Sequence, residues 1–230
     1  FSEKLLGTNS HETLVCFSES GKVYWLRSFQ NRIGSRAARG RPVGNILPLG
    51  EGERITAMLP IEGYGEDQFI FMATANGTVK KTPLMDFARP RSSGLIAIEL
   101  EDDNTLIGAS VTDGASDVML FSSGGRAIRF KEQDVRAMGR SARGVRGIKL
   151  RASEAVISLI IPNAAGTLLL ASEKGYGKRT PVEEFSVIGR GGQGVISMKL
   201  SERNGSLVGV AQVGSGFEVL LISDQGTMVR

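Results

Sequence analysis

Residues 69–83 read FIFMATANGTVKKTP, and this stretch gives the clearest indication of how the chain folds. An apolar run, Phe69–Met72, leads into the dipeptide Asn76-Gly77, and a second potential strand leaves it. Asn-Gly is typical of a two-residue hairpin turn of type I′, which needs positive φ at both central residues. The stretch therefore predicts an antiparallel hairpin. Thr82-Pro83, like Thr180-Pro181, predicts a single helical turn with Pro at its first position.

The same pattern recurs about every fifty residues. A turn glycine follows an apolar run at positions separated by 56, 48, 50 and 51 residues, namely Gly21, Gly77, Gly125, Gly175 and Gly226. Two further series keep the same phase: Leu49, Leu100, Leu150 and Leu200, and Gly40, Gly94, Gly144 and Gly194. Self-similarity at a fixed period indicates a tandem array of structural repeats.

Each repeat reads as four short strands. After the hairpin comes a basic, glycine-rich loop, then a third strand ending at the leucine, as in Leu95–Leu100 and Val195–Leu200. An acidic turn leads to a fourth strand, predicted at Ile55–Leu59, Leu106–Val111, Ala155–Ile161 and Leu207–Val213. No stretch sustains a helical period, so we expect an all-β protein. Blades around an axis leave only short sheet edges, which favours a propeller-like array over the alternative, a linear solenoid.

The repeats divide the chain into consecutive units of one domain, residues 1–230. Repeats 1 to 4 are residues 13–61, 62–112, 113–162 and 163–213, with the end of an earlier blade at 1–12 and the start of a later one at 214–230. The chain begins at Phe1 without an initiator Met and stops at Arg230 within the pattern. We therefore expect it to be part of a longer protein.

The formal net charge of +4 hides a strong segregation of charge. Four windows, 22–43, 77–98, 126–151 and 174–199, hold 24 of the 28 Lys and Arg residues but only 5 of the 24 acidic ones. Their balance is +19, whereas the rest of the chain carries −15. Because every repeat has the same split, a radial array would bring the basic segments onto one rim. Such a stripe is typical of proteins that bind a polyanion.

The composition of these windows favours duplex DNA as the polyanion. Arg outnumbers Lys by 19 to 9, and guanidinium groups match phosphate oxygens bidentately. No aromatic side chains interleave with the basic loops and no recognition helix is predicted, which indicates backbone binding and bending of duplex DNA with little base readout. The candidate DNA-binding residues are Lys22, Arg27, Arg32, Arg36, Arg39, Arg41, Lys80, Lys81, Arg89, Arg91, Arg126, Arg129, Lys131, Arg136, Arg140, Arg143, Arg146, Lys178, Arg179 and Arg190.

No catalytic or metal site is predicted. One histidine, His11, and one cysteine, Cys16, argue strongly against a zinc site, and no Ser-His-Asp triad can be assembled convincingly around that one histidine. Gly175-Tyr-Gly-Lys178 fails as a phosphate-binding P-loop, because Ser172 stands where its first glycine is required. No apolar run is long enough to cross a membrane as a helix.

Four phrases of the sequence resemble a known family. They are Ala73–Thr82, Val135–Gly139 with Gly144–Leu150, Gly175–Thr180 and Glu202–Gly205. In this order they resemble the C-terminal DNA-wrapping domain of bacterial DNA gyrase A, part of a type IIA topoisomerase. The corresponding domain of topoisomerase IV shares the repeat and is kept as an alternative.

The resemblance implies a six-bladed β-pinwheel whose blades exchange strands and whose rim wraps DNA with positive handedness. The wrapped segment would be presented for strand passage in ATP-dependent negative supercoiling. The implied partners are duplex DNA, the rest of gyrase A and gyrase B in an A2B2 complex, in the bacterial cytoplasm at the nucleoid. No cofactor and no catalytic residue is implied for this domain, which would be monomeric alone; ATP and Mg would act elsewhere in the parent complex.

One motif departs from the family pattern. The signature Q-R-R-G-G-[KR]-G does not occur, and the segment nearest to it is Gly189–Gly194. The resemblance places the full motif in the first blade, upstream of Phe1. Two other functions stay open: a protein-interaction propeller, which would use a disc face, and a propeller hydrolase with a central metal.

Overall fold

The computed structural model describes residues 12–27, 43–216, 219, 221–222 and 228–229, and this part of the chain consists of strands, turns and short 3-10 helices. The expected all-β fold is confirmed. No helix among the described residues is long and apolar enough to cross a membrane. The strands are β1 (Thr13–Ser18), β2 (Lys22–Arg27), β3 (Ile55–Ile61), β4 (Phe69–Thr74), β5 (Thr78–Pro83), β6 (Leu95–Ile96), β7 (Leu106–Thr112), β8 (Asp117–Ser122), β9 (Arg126–Lys131), β10 (Val145–Arg146), β11 (Val156–Ile160), β12 (Thr167–Ser172), β13 (Gly177–Pro181), β14 (Val195–Ile196), β15 (Leu207–Val213), β16 (Leu221–Ile222) and β17 (Met228–Val229).

The strands form one antiparallel sheet per repeat, with an exchange at the outer edge. The strand orders are β3-β1-β2-β6, β10-β5-β4-β7, β11-β8-β9-β14, β13-β12-β15 and β16-β17. Strand β6 follows β5 in the chain but pairs with β2 of the preceding repeat, through Lys22↔Ile96 and Val23↔Leu95. Strands β10 and β14 likewise complete the sheets of repeats 2 and 3. The third strands of repeats 2, 3 and 4 are therefore exchanged, and each is two residues long instead of the predicted six.

The fourth strands of the repeats lie at the inner ends of the sheets. They were predicted within two residues at each end, and β3, β7, β11 and β15 pack against one another in that order. The exchanged strands β6, β10 and β14 lie at the opposite edge. The sheets thus converge through their fourth strands and present their third strands outwards, as blades around an axis do.

The central strands are buried on both faces, which explains their continuous apolar runs. In β4, Ile70 and Met72 pack into one hydrophobic cluster with Val15 and Phe17 of repeat 1. The alternate residue Phe71 packs into the next cluster with residues of repeat 3. Each fully buried side chain of this size contributes roughly 1.5–3 kcal/mol. The neighbouring sheets are therefore held together by face-to-face hydrophobic layers.

The hairpin turns differ from the prediction in one respect. The amide of Gly77 donates to Thr74 O at 3.0 Å, and Gly77 has φ +90° while Asn76 does not have positive φ. This geometry is a type I turn closed by a glycine bulge, so the type I′ prediction was wrong. Asn76 acts through its side chain, whose Oδ1 accepts hydrogen bonds from the Thr74 hydroxyl at 2.7 Å and the Thr78 amide at 3.2 Å.

The predicted helical turns are present but begin one residue later than expected. They span Leu84–Phe87 and Val182–Glu184, and Pro83 and Pro181 stand immediately before them. Both prolines end a strand, where their fixed φ suits the extended backbone. No threonine side chain caps either turn.

The glycine and leucine series share a phase because they meet in space. Gly77 O accepts a hydrogen bond from Gly147 N at 2.8 Å, and a Cβ on Gly77 would lie 2.8 Å from Ile148 O and 3.6 Å from Leu150. Gly144 in turn lies so close to Val79 O that a Cβ would overlap that oxygen. The hairpin of one repeat is therefore clasped by the backbone of the next. These contacts position the exchanged strand.

Candidate nucleic-acid interface

The basic segments occupy the outer half of each sheet. Strands β2, β5 and β9 lie directly inside the exchanged edge strands, and the loops that follow them run along the same edge. We call the exposed or half-buried cations of these segments the basic rim. Its members among the candidate residues are Lys22, Arg27, Arg89, Arg91, Arg126, Lys131, Arg136, Arg140, Arg143, Arg146, Lys178, Arg179 and Arg190. The candidates Arg32, Arg36, Arg39 and Arg41 lie outside the described residues.

Between repeats 2 and 3 the rim is continuous. Arg140 Nη1 donates to Ile96 O at 3.2 Å. An arginine of repeat 3 is therefore hydrogen-bonded to β6, the edge strand of the sheet of repeat 1. Arg143 Nη2 lies 2.8 Å from Glu99 Oε1 in an exposed ion pair, and hydrogen bonding to this carboxylate raises the pKa of Arg143. The Glu99 amide donates to Ala142 O at 3.3 Å. The arginine-bearing loop therefore bridges two neighbouring sheets.

The junction between repeats 3 and 4 repeats this arrangement. Arg190 Nη1 donates to Arg146 O at 2.9 Å, and its Nε donates to Asp134 O at 2.9 Å. The Gly191 amide donates to Gly147 O at 2.6 Å. Arg140 and Arg190 thus occupy equivalent places, four residues before their glycines. The surface therefore carries an arginine at the same position of successive junctions, a regular spacing of positive charge that suits a ligand with regularly spaced negative charges.

Several rim cations are available to a ligand. Arg89, Arg91 and Arg136 are exposed, and no hydrogen bond or ion pair is made by their side chains among the described residues. Arg91 and Arg140 line one groove at the junction of repeats 2 and 3, together with the backbone of Gly94 and Ser141 and the carboxylate of Asp86. A phosphate placed there would meet two guanidinium groups.

Lys80 is not available for DNA, although the sequence made it a candidate. Its side chain is fully buried, and its Nζ donates to the carbonyls of Ala97 at 2.5 Å and Gly139 at 3.0 Å. Burial lowers the pKa of Lys80 to about 7, with a further contribution from the Arg140 charge that Asp86 partly offsets. Lys80 is therefore removed from the proposed contact set.

Lys81 and Arg129 also point into the protein. Lys81 Nζ donates to Glu132 O at 3.2 Å, 4.0 Å from the buried Glu132 carboxylate and 4.9 Å from the Phe69 ring centre. Arg129 pairs with Asp117 at 2.7 Å and donates to the carbonyls of Val182 and Phe185, both at 3.1 Å. Each of these cations holds the 3-10 turn of the following repeat. Because strand β5 is covered on both faces, the successive residues Lys80 and Lys81 are both buried, so the basic windows contain structural cations as well as rim cations.

Replacing Lys81 with Met should therefore weaken the fold without weakening the DNA contacts. The change removes the cation beside the buried Glu132 carboxylate, which still accepts from Thr112 Oγ1 at 2.8 Å and from the Ser116 amide at 2.7 Å. We expect a loss of about 3 kcal/mol in the free energy of unfolding, the usual effect of breaking a buried ion pair. Urea denaturation measures this, and the salt dependence of DNA binding should be unchanged.

Lys22→Met is the matched control, because Lys22 is exposed on β2. It should change the free energy of unfolding by less than about 0.5 kcal/mol. It should also make the slope of log K against log salt less negative by about one unit, as expected for a lost phosphate contact. The assignment would be contradicted if Lys81→Met changed the salt dependence of DNA binding while Lys22→Met lowered the free energy of unfolding.

Four exposed cations of the basic windows were not singled out from the sequence: Lys149, Arg151, Lys174 and Lys199. Lys149 and Lys199 each immediately precede a leucine of the fifty-residue series, in the place that Glu99 occupies in repeat 2. Both lie inside the basic windows. Alignment of the repeats on their leucines would have identified them.

Among the described residues, the reactive groups outside the rim form no catalytic or metal-binding cluster. Cys16 is fully buried, and burial raises its pKa to about 12, so its thiol is not a nucleophile at neutral pH. No group of three or more His, Cys, Asp or Glu side chains that could hold a metal ion occurs in the described part of the chain. The rim is thus the strongest candidate for a functional surface.

Comparison with known proteins points to one family. The family model described as "DNA gyrase C-terminal domain, beta-propeller" matches residues 12–62, 68–113, 116–163 and 166–213. The DNA gyrase A protein of Salmonella typhimurium is 53% identical over all of this chain, and that of Escherichia coli is 49% identical. The chain spans about a quarter of the length of these relatives, 26% in each case.

Solved structures agree with the sequence comparison. A structure of the DNA gyrase A C-terminal domain superposes with a TM-score of 0.82 at 27% identity, covering 96% of this chain and 72% of that one. The C-terminal domain of DNA topoisomerase IV has a TM-score of 0.86 at 24% identity, covering 98% of this chain and 71% of that one. At that identity the second likeness bears on the fold alone.

Proposed function

The chain belongs to the DNA gyrase C-terminal domain family of β-propellers, and on this basis we propose that it binds double-stranded DNA and wraps it around the basic rim. The observation that carries the proposal is the continuity of the rim. The arginine loops of successive repeats join edge to edge through Arg140 and Arg190, at equivalent positions. A surface of this kind follows a duplex backbone from one blade to the next.

The chemistry of the rim favours backbone contacts over base readout. Its guanidinium groups suit phosphate oxygens, and no helix or strand ribbon protrudes from the rim to enter a groove in the described residues. Bending a 20–30 bp site by 40–90° costs about 1–6 kcal/mol in smooth elastic estimates. Several charge-assisted phosphate contacts, at about 1.5–3 kcal/mol each, can offset that cost. Wrapping is therefore energetically feasible on a rim of this composition.

The role within a larger protein is also a proposal. The chain would be a non-catalytic domain of gyrase A, in a bacterial, ATP-dependent DNA topoisomerase that works with gyrase B as an A2B2 complex in the cytoplasm at the nucleoid. Its blades, six in the full pinwheel, would wrap DNA with positive handedness and present a segment for strand passage. ATP and Mg would be used elsewhere in that complex.

Of the two related topoisomerases, gyrase is the better supported. The topoisomerase IV domain shares the fold, but its identity to this chain is 24%, whereas gyrase A relatives reach 53% over the whole chain. A protein-interaction propeller would be expected to use a disc face. Binding of duplex DNA that depends on the rim cations distinguishes these functions.

The proposal is tested by the salt dependence of DNA binding. Affinity for duplexes of increasing length should rise until the rim is covered, and log K should fall linearly with log salt. With six phosphates contacted, the slope would be about −5, since each contributes about −0.9 on B-DNA. Fluorescence anisotropy with labelled duplexes and matched single strands measures both. A salt-independent affinity, or equal affinity for a neutral polymer, would contradict the proposal.

A further inference from the structure

Lys80 connects the rim to the interior at the junction of repeats 2 and 3. Its Nζ lies within hydrogen-bond distance of four backbone carbonyls, which share its three N–H donors: those of Ala97 at 2.5 Å, Gly139 at 3.0 Å, Arg140 at 2.5 Å and Ala142 at 3.2 Å. The first carbonyl follows edge strand β6, and the other three belong to the arginine loop of repeat 3. One ammonium thus draws together two segments that are more than forty residues apart in the chain.

A fully buried lysine is stable only when its donors are satisfied. Here all four acceptors are carbonyls of rim segments, so the charge is satisfied only when loop 139–142 lies against the edge of the first sheet. The residue that this loop carries outwards is Arg140, whose guanidinium reaches Ile96 O at 3.2 Å. The loop also leads into Arg143. The position of both arginines therefore depends on the contacts of Lys80.

At the junction of repeats 3 and 4, the arginine loop is held against the edge strand without a lysine. Ile128 stands three residues after its turn glycine, as Lys80 does, and it packs in a hydrophobic cluster. Gly147 is the counterpart of Ala97, and its carbonyl accepts from the Gly191 amide at 2.6 Å. Gly191 has φ +85°, a conformation that Ser141, its counterpart in repeat 3, does not share.

The two junctions therefore use different donors to hydrogen-bond the carbonyl that follows the edge strand. A glycine with positive φ turns its own amide onto the edge carbonyl, at a conformation that L side chains adopt at a penalty of about 1–2 kcal/mol. Where Ser141 replaces that glycine, the ammonium of Lys80 supplies the donor instead. Both junctions end with an arginine hydrogen-bonded to the edge strand.

We propose that Lys80 is a positioning residue for DNA binding, which clamps loop 139–142 so that Arg140 and Arg143 face the phosphate backbone. The effect of Lys80 on DNA affinity rests on the proposed function. The contacts by which Lys80 holds the loop do not involve DNA and can be tested without it. A residue that merely stabilised the fold would change the free energy of unfolding without changing the contribution of Arg140 to DNA affinity.

The experiment uses four variants: Lys80→Met, Arg140→Ala, their combination, and Lys80→Ile with Ser141→Gly. The last variant introduces the residue types found at the equivalent positions of the next junction, Ile128 and Gly191. Amide exchange by mass spectrometry at pH 6, below the pKa of Lys80, reports on the loop without DNA. In Lys80→Met we expect exchange of residues 138–144 to accelerate at least about tenfold, the signature of lost local order. Loop 188–194, which lacks the lysine, is the internal control and should be unchanged.

DNA affinity provides the second measurement. Arg140→Ala should weaken binding about tenfold in the natural chain but less than about twofold in Lys80→Met, because a displaced arginine no longer contributes. The double variant with Ser141→Gly should recover at least half of the lost affinity, on a logarithmic scale, and the slow exchange. This recovery is specific to positioning, because the variant still lacks the buried ammonium.

The outcomes separate the two proposals. Unchanged loop exchange in Lys80→Met, or equal effects of Arg140→Ala in both backgrounds, would overturn the role of Lys80. If the natural chain binds no duplex DNA, the proposed function fails on its own, since the exchange data still report whether the clamp exists. If Lys80→Met does not fold, Lys80→Ile with and without Ser141→Gly decides: loop order lost in Lys80→Ile and recovered when Ser141→Gly is added supports the clamp, and slow exchange in Lys80→Ile alone contradicts it.

Discussion

Replacing Arg143 and Arg146 with Glu should lower the affinity for duplex DNA by roughly 100-fold or more, because each charge-assisted hydrogen bond to a phosphate contributes about 1.5–3 kcal/mol. Both residues are exposed on the rim, at the end of the repeat 3 loop and in edge strand β10. The slope of log K against log salt should become less negative by about two units, close to 0.9 per lost contact. Arg140 is left intact, because its guanidinium also bonds Ile96 O and its own contribution to affinity is measured with the Lys80 variants.

The matched control reverses the same number of charges elsewhere. Arg54 and Arg203 lie outside the basic windows, in exposed turns that precede the inner strands β3 and β15. Arg54→Glu with Arg203→Glu changes the net charge equally but should weaken binding less than about threefold, since screening limits the effect of charges that do not contact phosphates. Of the two, Arg203 donates its Nε to Tyr176 Oη at 2.9 Å and is held beside that ring. Equal losses in the two double variants would mean that net charge, and not the rim, determines binding. Unfolding curves establish that both variants are folded.

The second large effect concerns the fold. Gly125→Ala should lower the free energy of unfolding by about 3–5 kcal/mol, through a positive φ that costs about 1–2 kcal/mol and a backbone overlap at a packed site. Gly125 has φ +78°, and an added Cβ would overlap Met198 O. Its carbonyl also accepts from the amides of Ser197 at 2.8 Å and Met198 at 3.1 Å. The variant therefore loosens the clasp between repeats 3 and 4.

Gly175→Ala separates the two causes. Gly175 occupies the same turn position in repeat 4 with φ +80°, but a Cβ there would have no atom within 4 Å among the described residues. Its replacement should cost only the conformational penalty of about 1–2 kcal/mol. Urea denaturation of the two variants measures the difference. Equal destabilisation would mean that the clasp between repeats contributes nothing beyond the turn itself.

Much of this architecture was predictable from periodicity. The continuous apolar runs predicted central strands, since a strand covered on both faces has no polar alternation. The positions of the fourth strands followed from the acidic turns and the leucine series, and β15 was predicted with its observed bounds, Leu207–Val213. The charge windows were visible because every repeat carries the same split.

Other features depend on contacts between repeats, which a linear pattern does not specify. The pairing of Leu95–Ile96 with repeat 1 instead of repeat 2 is decided by the docking of Gly21 and Gly94 against their neighbours. For the same reason Lys80, Lys81 and Arg129 looked like rim cations. Their local sequence resembles that of Lys178 and Arg179, which are exposed. Only the neighbouring repeat determines which face of a strand is covered.

The central claim, that the rim wraps duplex DNA with a defined hand, is tested most directly by ligating nicked circular DNA with the chain bound. Gel separation of the closed circles gives the change in linking number. A positive shift that grows with the ratio of protein to DNA, persists with Arg54→Glu and Arg203→Glu, and disappears with Arg143→Glu and Arg146→Glu is the predicted result. If fully bound DNA showed no change in linking number, or a negative change, the claim would be contradicted.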